Sequence, residues 1–109
     1  MTQLSISDRI SKHICDHYQL SNEKVASMLP MFLKTLQGHM QDLETSLDAC
    51  GTTGIAKAGH KLKGALLNLG LDDSAAIAKR IEVEGNADNQ NADYTDLVTQ
   101  LKEQLQEIL

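Results

Sequence analysis

Apolar residues recur at intervals of three and four through most of the chain, which is the repeat of an amphipathic helix rather than the alternation of a strand. The longest stripe, Val25, Met28, Phe32, Leu36, Met40, Leu43 and Leu47, predicts a helix from a Ser21 cap to about Ala49. Pro30 falls inside it, so the pattern predicts either a kink or a split into two helices there. Upstream, Ile10, Ile14 and Tyr18 predict a short helix from about Ser7 to Tyr18, capped by Ser5 or Ser7.

Cys50 to Gly54 reads as a connection, in which Gly51 ends one helix and Thr52 or Thr53 caps the next. Ile55, Leu62, Leu66 and Leu69 then share a stripe, predicting a helix from about Thr53 to Leu69. Gly70 is placed to close it in the left-handed conformation, with Leu71 packing back on Leu66. Asp72 or Asp73 is expected to cap a further helix to about Glu84. Ile77 and Ile81 face inward there, and Ala75, Ala76 and Ala78 allow close approach of a neighbour. Gly85 to Asn91 reads as a polar loop. Tyr94, Leu97, Leu101, Leu105 and Ile108 predict a last helix from about Ala92 to Ile108. Four main helices with short connections imply an all-α, antiparallel up-down-up-down four-helix bundle, and residues 1–109 form a single domain.

Composition supports the helices: one Pro, no Trp and one Phe stand in a chain that is 41% hydrophobic and 23% charged. A formal net charge of -5 argues against a nucleic-acid partner. The charge is unevenly spread, because Thr53 to Leu71 holds Lys57, Lys61 and Lys63 and no acid. Cys15 and Cys50 belong to no metal-ligand motif and read as reduced thiols. Polar residues near the N-terminus and the lack of a long apolar run lead to the expectation of a soluble, cytoplasmic protein. No Gly-rich phosphate loop is present.

The candidate chemistry centres on His60. It lies two positions before Leu62, a rotation of roughly 160° on the helical wheel, so its imidazole should point away from the apolar stripe. Lys57, Lys63, Ala56 and Gly64 are its neighbours at spacings of three and four. A neutral imidazole attacks electrophiles through a ring nitrogen, and the lysines would balance the charge of an arriving phosphoryl group. Glycine inside a helix costs about 1 kcal/mol relative to alanine, and space beside His60 is a reason for Gly64. Leu67, seven positions after His60, lies along the same outward face and is a candidate apolar contact for a partner, with Lys57 and Lys61 as candidate docking cations.

The run His60-Lys61-Leu62-Lys63-Gly64, followed by Asn68-Leu69-Gly70 and flanked by amphipathic helices, resembles the histidine-containing phosphotransfer (HPt) domains of bacterial phosphorelays. The resemblance implies that His60 carries the phosphoryl group with Lys63 and Gly64 beside it, and that the short first helix lies across one end of the bundle. It further implies a phosphocarrier of two-component signalling that is not an enzyme. Its partners would be response-regulator receiver domains and a hybrid sensor histidine kinase. The carrier would have no cofactor of its own, with Mg²⁺ held by the receiver. A monomer away from the membrane is expected, and a chain that opens on Met1 and closes on a helix reads as free-standing. The rival reading is an adaptor that docks through the His60 face without being phosphorylated. Three further features bear on the site. Gln37 is a candidate hydrogen-bond partner for His60, Asn68 is placed to end the helix, and His13 and His17 have the spacing of two metal ligands without a motif that completes the set.

Overall fold

A computed structural model of the chain describes residues 5–48 and 51–109, and among these it contains five helices and no strand. They are α1 (Ile6–Tyr18), α2 (Asn22–Asp48), α3 (Thr52–Asn68), α4 (Asp72–Asn86) and α5 (Tyr94–Leu105). Each of α2 to α4 packs on the helix that follows it, α5 returns against α2, and α1 lies against α2. The most extensive of these interfaces is between α3 and α4. The 44 Å long axis of the molecule is about the length of a 27-residue helix such as α2.

The helix ends follow local chemistry with some departures from expectation. Ser5 caps α1, its Oγ accepting from the Asp8 N–H at 3.1 Å, and Ser21 does the same for the Lys24 N–H at the start of α2. Ile6, Ile10 and Ile14 are buried, but Tyr18 is exposed. Helix α2 passes through Pro30 without a break, so the split into two helices does not occur. Its Val25, Leu36, Met40 and Leu43 are buried, whereas Met28, Phe32 and Leu47 are only half-buried.

Helix α3 starts at Thr52, after Gly51 in a positive-φ conformation (124°), so neither Thr52 nor Thr53 is the cap. Ala49 and Cys50 lie outside the described residues. The end of α3 is the Schellman motif anticipated: Gly70 has φ 76°, its N–H donates to the Leu67 carbonyl at 3.1 Å, and the Leu71 N–H donates to Leu66 at 2.9 Å. Because that turn feeds straight into α4, the residue before the helix is the buried Leu71, and Asp72 and Asp73 sit inside the first turn, where they complement the helix dipole. Helix α4 also outruns expectation. Gly85 and Asn86 are helical rather than loop, and Gly85 is buried where α4 crosses the start of α3. Ala75 and Ala78 face the core as expected, but Ala76 is exposed.

Helix α5 begins at Tyr94, with Asp93 accepting from the Asp96 N–H at 3.0 Å, and ends at Leu105. Ile108 is buried beyond it. The core is one cluster fed by all five helices, in which Ile10, Leu36, Leu43, Leu62, Leu66 and Leu101 are fully enclosed. Each such side chain contributes roughly 1.5–3 kcal/mol by leaving water. No helix among the described residues is long and apolar enough to cross a membrane.

Candidate functional site

His60 stands on the outward side of α3, its side chain 65% exposed, while Gly59 just before it and Leu62 two positions after it are buried. Helical geometry alone produces this contrast, since neighbouring residues point about 100° apart. The imidazole is nonetheless not unsupported. Its Nδ1 meets Oε2 of Glu82 on α4, and the other carboxylate oxygen accepts from Lys63 Nζ at 2.7 Å. One carboxylate thus joins the histidine to the lysine one turn further along α3.

This arrangement defines the electrostatics. The Lys63 ammonium, hydrogen-bonded to it, holds the Glu82 carboxyl below the usual carboxylate range; partial burial opposes that lowering, and the contact with His60 adds to it. An ionised carboxylate only accepts hydrogen bonds, so the contact with His60 places the imidazole proton on Nδ1. The lone pair of a neutral ring then lies on Nε2. Lys63 is half-buried and engaged by Glu82, so its charge is already matched within the protein. That differs from the expectation of a lysine reserved for an arriving phosphoryl group.

The remaining sequence candidates are placed as follows. Gly64 has no atom within 4 Å of where a Cβ would stand, so there is open space one turn beyond His60. Lys57, Lys61 and Asn68 are exposed, and Leu67 is 49% exposed. Gln37 does not serve His60: its Nε2 donates to the Ile108 carbonyl at 2.6 Å, tying α2 to the C-terminal end of the chain. The His13 and His17 rings stack with centroids 5.4 Å apart, and His13 lies over Gly70. Their setting is the packing of α1 on the turn between α3 and α4.

Two features escaped the sequence. Glu82 is the first, and the available signal was its position one residue after the inward-facing Ile81, which puts a carboxylate at the edge of the α3–α4 seam. The second is an apolar groove of about 630 Å³ where α1, α2 and α3 meet. Tyr18, Met28, Met31 and Phe32 form one side, and Ala65, Asn68 and Leu69 of α3 the other. The half-burial of Met28 and Phe32 and the exposure of Tyr18 and Met31 are consequences of this groove.

The structure is thus a helical domain that carries an outward imidazole contacted from the neighbouring helix by a carboxylate. The family model described as Hpt domain matches residues 27–109, and the chain belongs to that family. Histidine phosphotransfer in two-component systems, in company with receiver domains and kinases, is the work of Hpt domains, which are in general phosphocarriers rather than enzymes. Comparisons with curated proteins and with solved structures return no match.

Proposed function

We propose that the chain is a phosphorelay carrier in which His60 takes a phosphoryl group from the phospho-aspartate of one receiver domain and passes it to the aspartate of another. The observation that carries this reading is the Nδ1 contact with Glu82 on an otherwise exposed ring. With the proton on Nδ1, the Nε2 lone pair attacks phosphorus in line. The Nε2–P bond forms as the aspartyl O–P bond breaks, and the electron pair leaves on the receiver's carboxylate. Positive charge that develops on the ring is met at Nδ1 by Glu82, as an oriented carboxylate stabilises an imidazolium. Transfer onward is the same step reversed on a second receiver.

Lys63 acts here by holding Glu82 in place, Gly64 leaves room for the phosphoryl group and the incoming domain, and Lys57 and Lys61 offer charge to an acidic partner. Leu67 and the groove walled by Ala65 and Asn68 supply apolar docking area. The Mg²⁺ of the reaction is assigned to the receiver, because Glu82 is already occupied by His60 and Lys63. The proposal takes residues 1–109 as one cytoplasmic, monomeric domain with an antiparallel up-down-up-down bundle and α1 across one end. It has no turnover without its partners. Incubation with a phosphorylated receiver and Mg²⁺ tests it: the protein should acquire an acid-labile, base-stable phosphate, and His60→Gln should not. Labelling retained in that variant would overturn the assignment to His60, and receiver binding without labelling of the normal chain would replace the carrier by an adaptor.

A further inference from the structure

We infer that Gly59 is a positioning residue, which brings the backbone of α4 onto α3 at the level where Glu82 can reach His60. A Cβ built on Gly59 would stand 3.1 Å from Ile81 Cγ2, 3.2 Å from the Ala78 carbonyl oxygen and 3.2 Å from the Glu82 nitrogen. The last two atoms are the acceptor and donor of one turn of α4, since an α-helical N–H bonds the carbonyl four residues back. Gly59 therefore rests directly on the α4 hydrogen bond that ends at Glu82. Its sequence neighbour is His60, so the approach of α4 at Gly59 governs how far the Glu82 side chain must reach to meet the imidazole.

The other glycines of α3 sharpen the point. Gly54 and Gly64 have nothing within 4 Å of a built Cβ, and of the three only Gly59 is in tight contact. Glycine in a helix interior is disfavoured relative to alanine, and at Gly59 the compensation is visible as backbone contact. An added Cβ requires the Ile81 methyl and the α4 backbone at Ala78 and Glu82 to give by a few tenths of an ångström, whereas the imidazole stays anchored to α3. Backbone atoms cannot rotate aside as the end of a flexible side chain would. The carboxylate of Glu82 is then carried away from Nδ1 and its hold on the ring is weakened, while the longer and more flexible Lys63 can follow it.

The inference rests on the carrier reading only for its consequence in transfer, and its first readout needs no phosphate. In ¹⁵N-labelled protein, long-range nitrogen–proton correlation spectra report which ring nitrogen of His60 bears the proton. The normal chain and Gly54→Ala should both show the proton on Nδ1, and Gly59→Ala should shift the population toward Nε2–H with helix content retained. Gly59→Ser, nearly as small, should behave as Gly59→Ala does. In transfer from a phosphorylated receiver, Gly59→Ala should slow labelling about tenfold and should add little to Glu82→Gln, as expected for residues that act through one contact. An unchanged His60 tautomer in both Gly59 variants, or additive losses with Glu82→Gln, would overturn the inference. A tautomer change in a protein that no receiver labels would uphold it and instead overturn the carrier reading.

Discussion

Glu82 bonds the His60 imidazole across the α3–α4 interface, from a position 22 residues later in the chain. The same carboxylate takes a hydrogen bond from Lys63 at 2.7 Å. Lys63, read from α3 alone as part of a cationic patch, is therefore neutralised within a trio that orients the ring, while Lys57 and Lys61 remain exposed. In the neutral ring the lone pair lies on the outward nitrogen, Nε2.

Removing the charge behind the ring tests the trio. Glu82→Gln keeps size and shape but replaces an acceptor-only carboxylate by an amide, so the initial rate of His60 labelling should fall roughly tenfold to a hundredfold. Circular dichroism should show the helices intact. Unaltered rates would show that the contact has no part in the chemistry.

Lys63→Glu sets two carboxylates against each other. Glu82 should be driven off His60, slowing transfer at least as much as Glu82→Gln does, and the double substitution should be no worse than the slower single one. Labelling time courses of the three variants check this.

Acid should loosen the α3–α4 seam through the same residue. The Glu82 carboxyl is held below its ordinary range in the folded protein. Its contribution is therefore present above the unfolded carboxylate value, near about 4.3, and is lost as pH falls through the lower folded value. Urea denaturation at neutral and acidic pH should show a smaller acid loss for Glu82→Gln than for the normal chain. Lys63→Met, which removes the largest cause of the lowering, should move the loss toward higher pH.

At the alkaline end Tyr94 works in the opposite sense. Burial, then the nearby Glu84 and Asp88 charges, push its phenol up, and its hydroxyl donates to the Asn89 carbonyl at 2.6 Å. Stability from this group is complete below the unfolded value and declines as pH rises through the folded one. Tyr94→Phe should cost about 1 kcal/mol at neutral pH and flatten the alkaline decline, as measured by urea midpoints.

Two glycine substitutions should have opposite signs. Gly70→Ala meets a φ of 76° and, for its Cβ, a clash with the His13 ring; a loss of about 1–3 kcal/mol is expected. Gly64→Ala projects into open space in a helix interior and should gain up to about 1 kcal/mol. Thermal unfolding reads both, and slower transfer in the more stable Gly64→Ala protein would measure the room that the partner or the phosphoryl group requires.

The amino-acid order by itself determined the helices, the buried stripe Ile55, Leu62, Leu66 and Leu69, the outward turn of His60, and the left-handed Gly70. All of these depend on residues within a few positions of one another, through the 3.6-residue repeat and local backbone sterics. The same local logic misplaced Tyr18, the Asp72 or Asp73 cap and the Gly85–Asn86 loop, where coverage by a neighbouring helix or a turn shared with the preceding one decides the outcome. Only the tertiary structure decided that Glu82 would back His60, that Lys63 would be held, and that a groove would open beside α3. Those depend on how closely α4 approaches α3 at Gly59 and how completely α1 covers α2, and such distances between helices are set by packing of residues far apart in the chain.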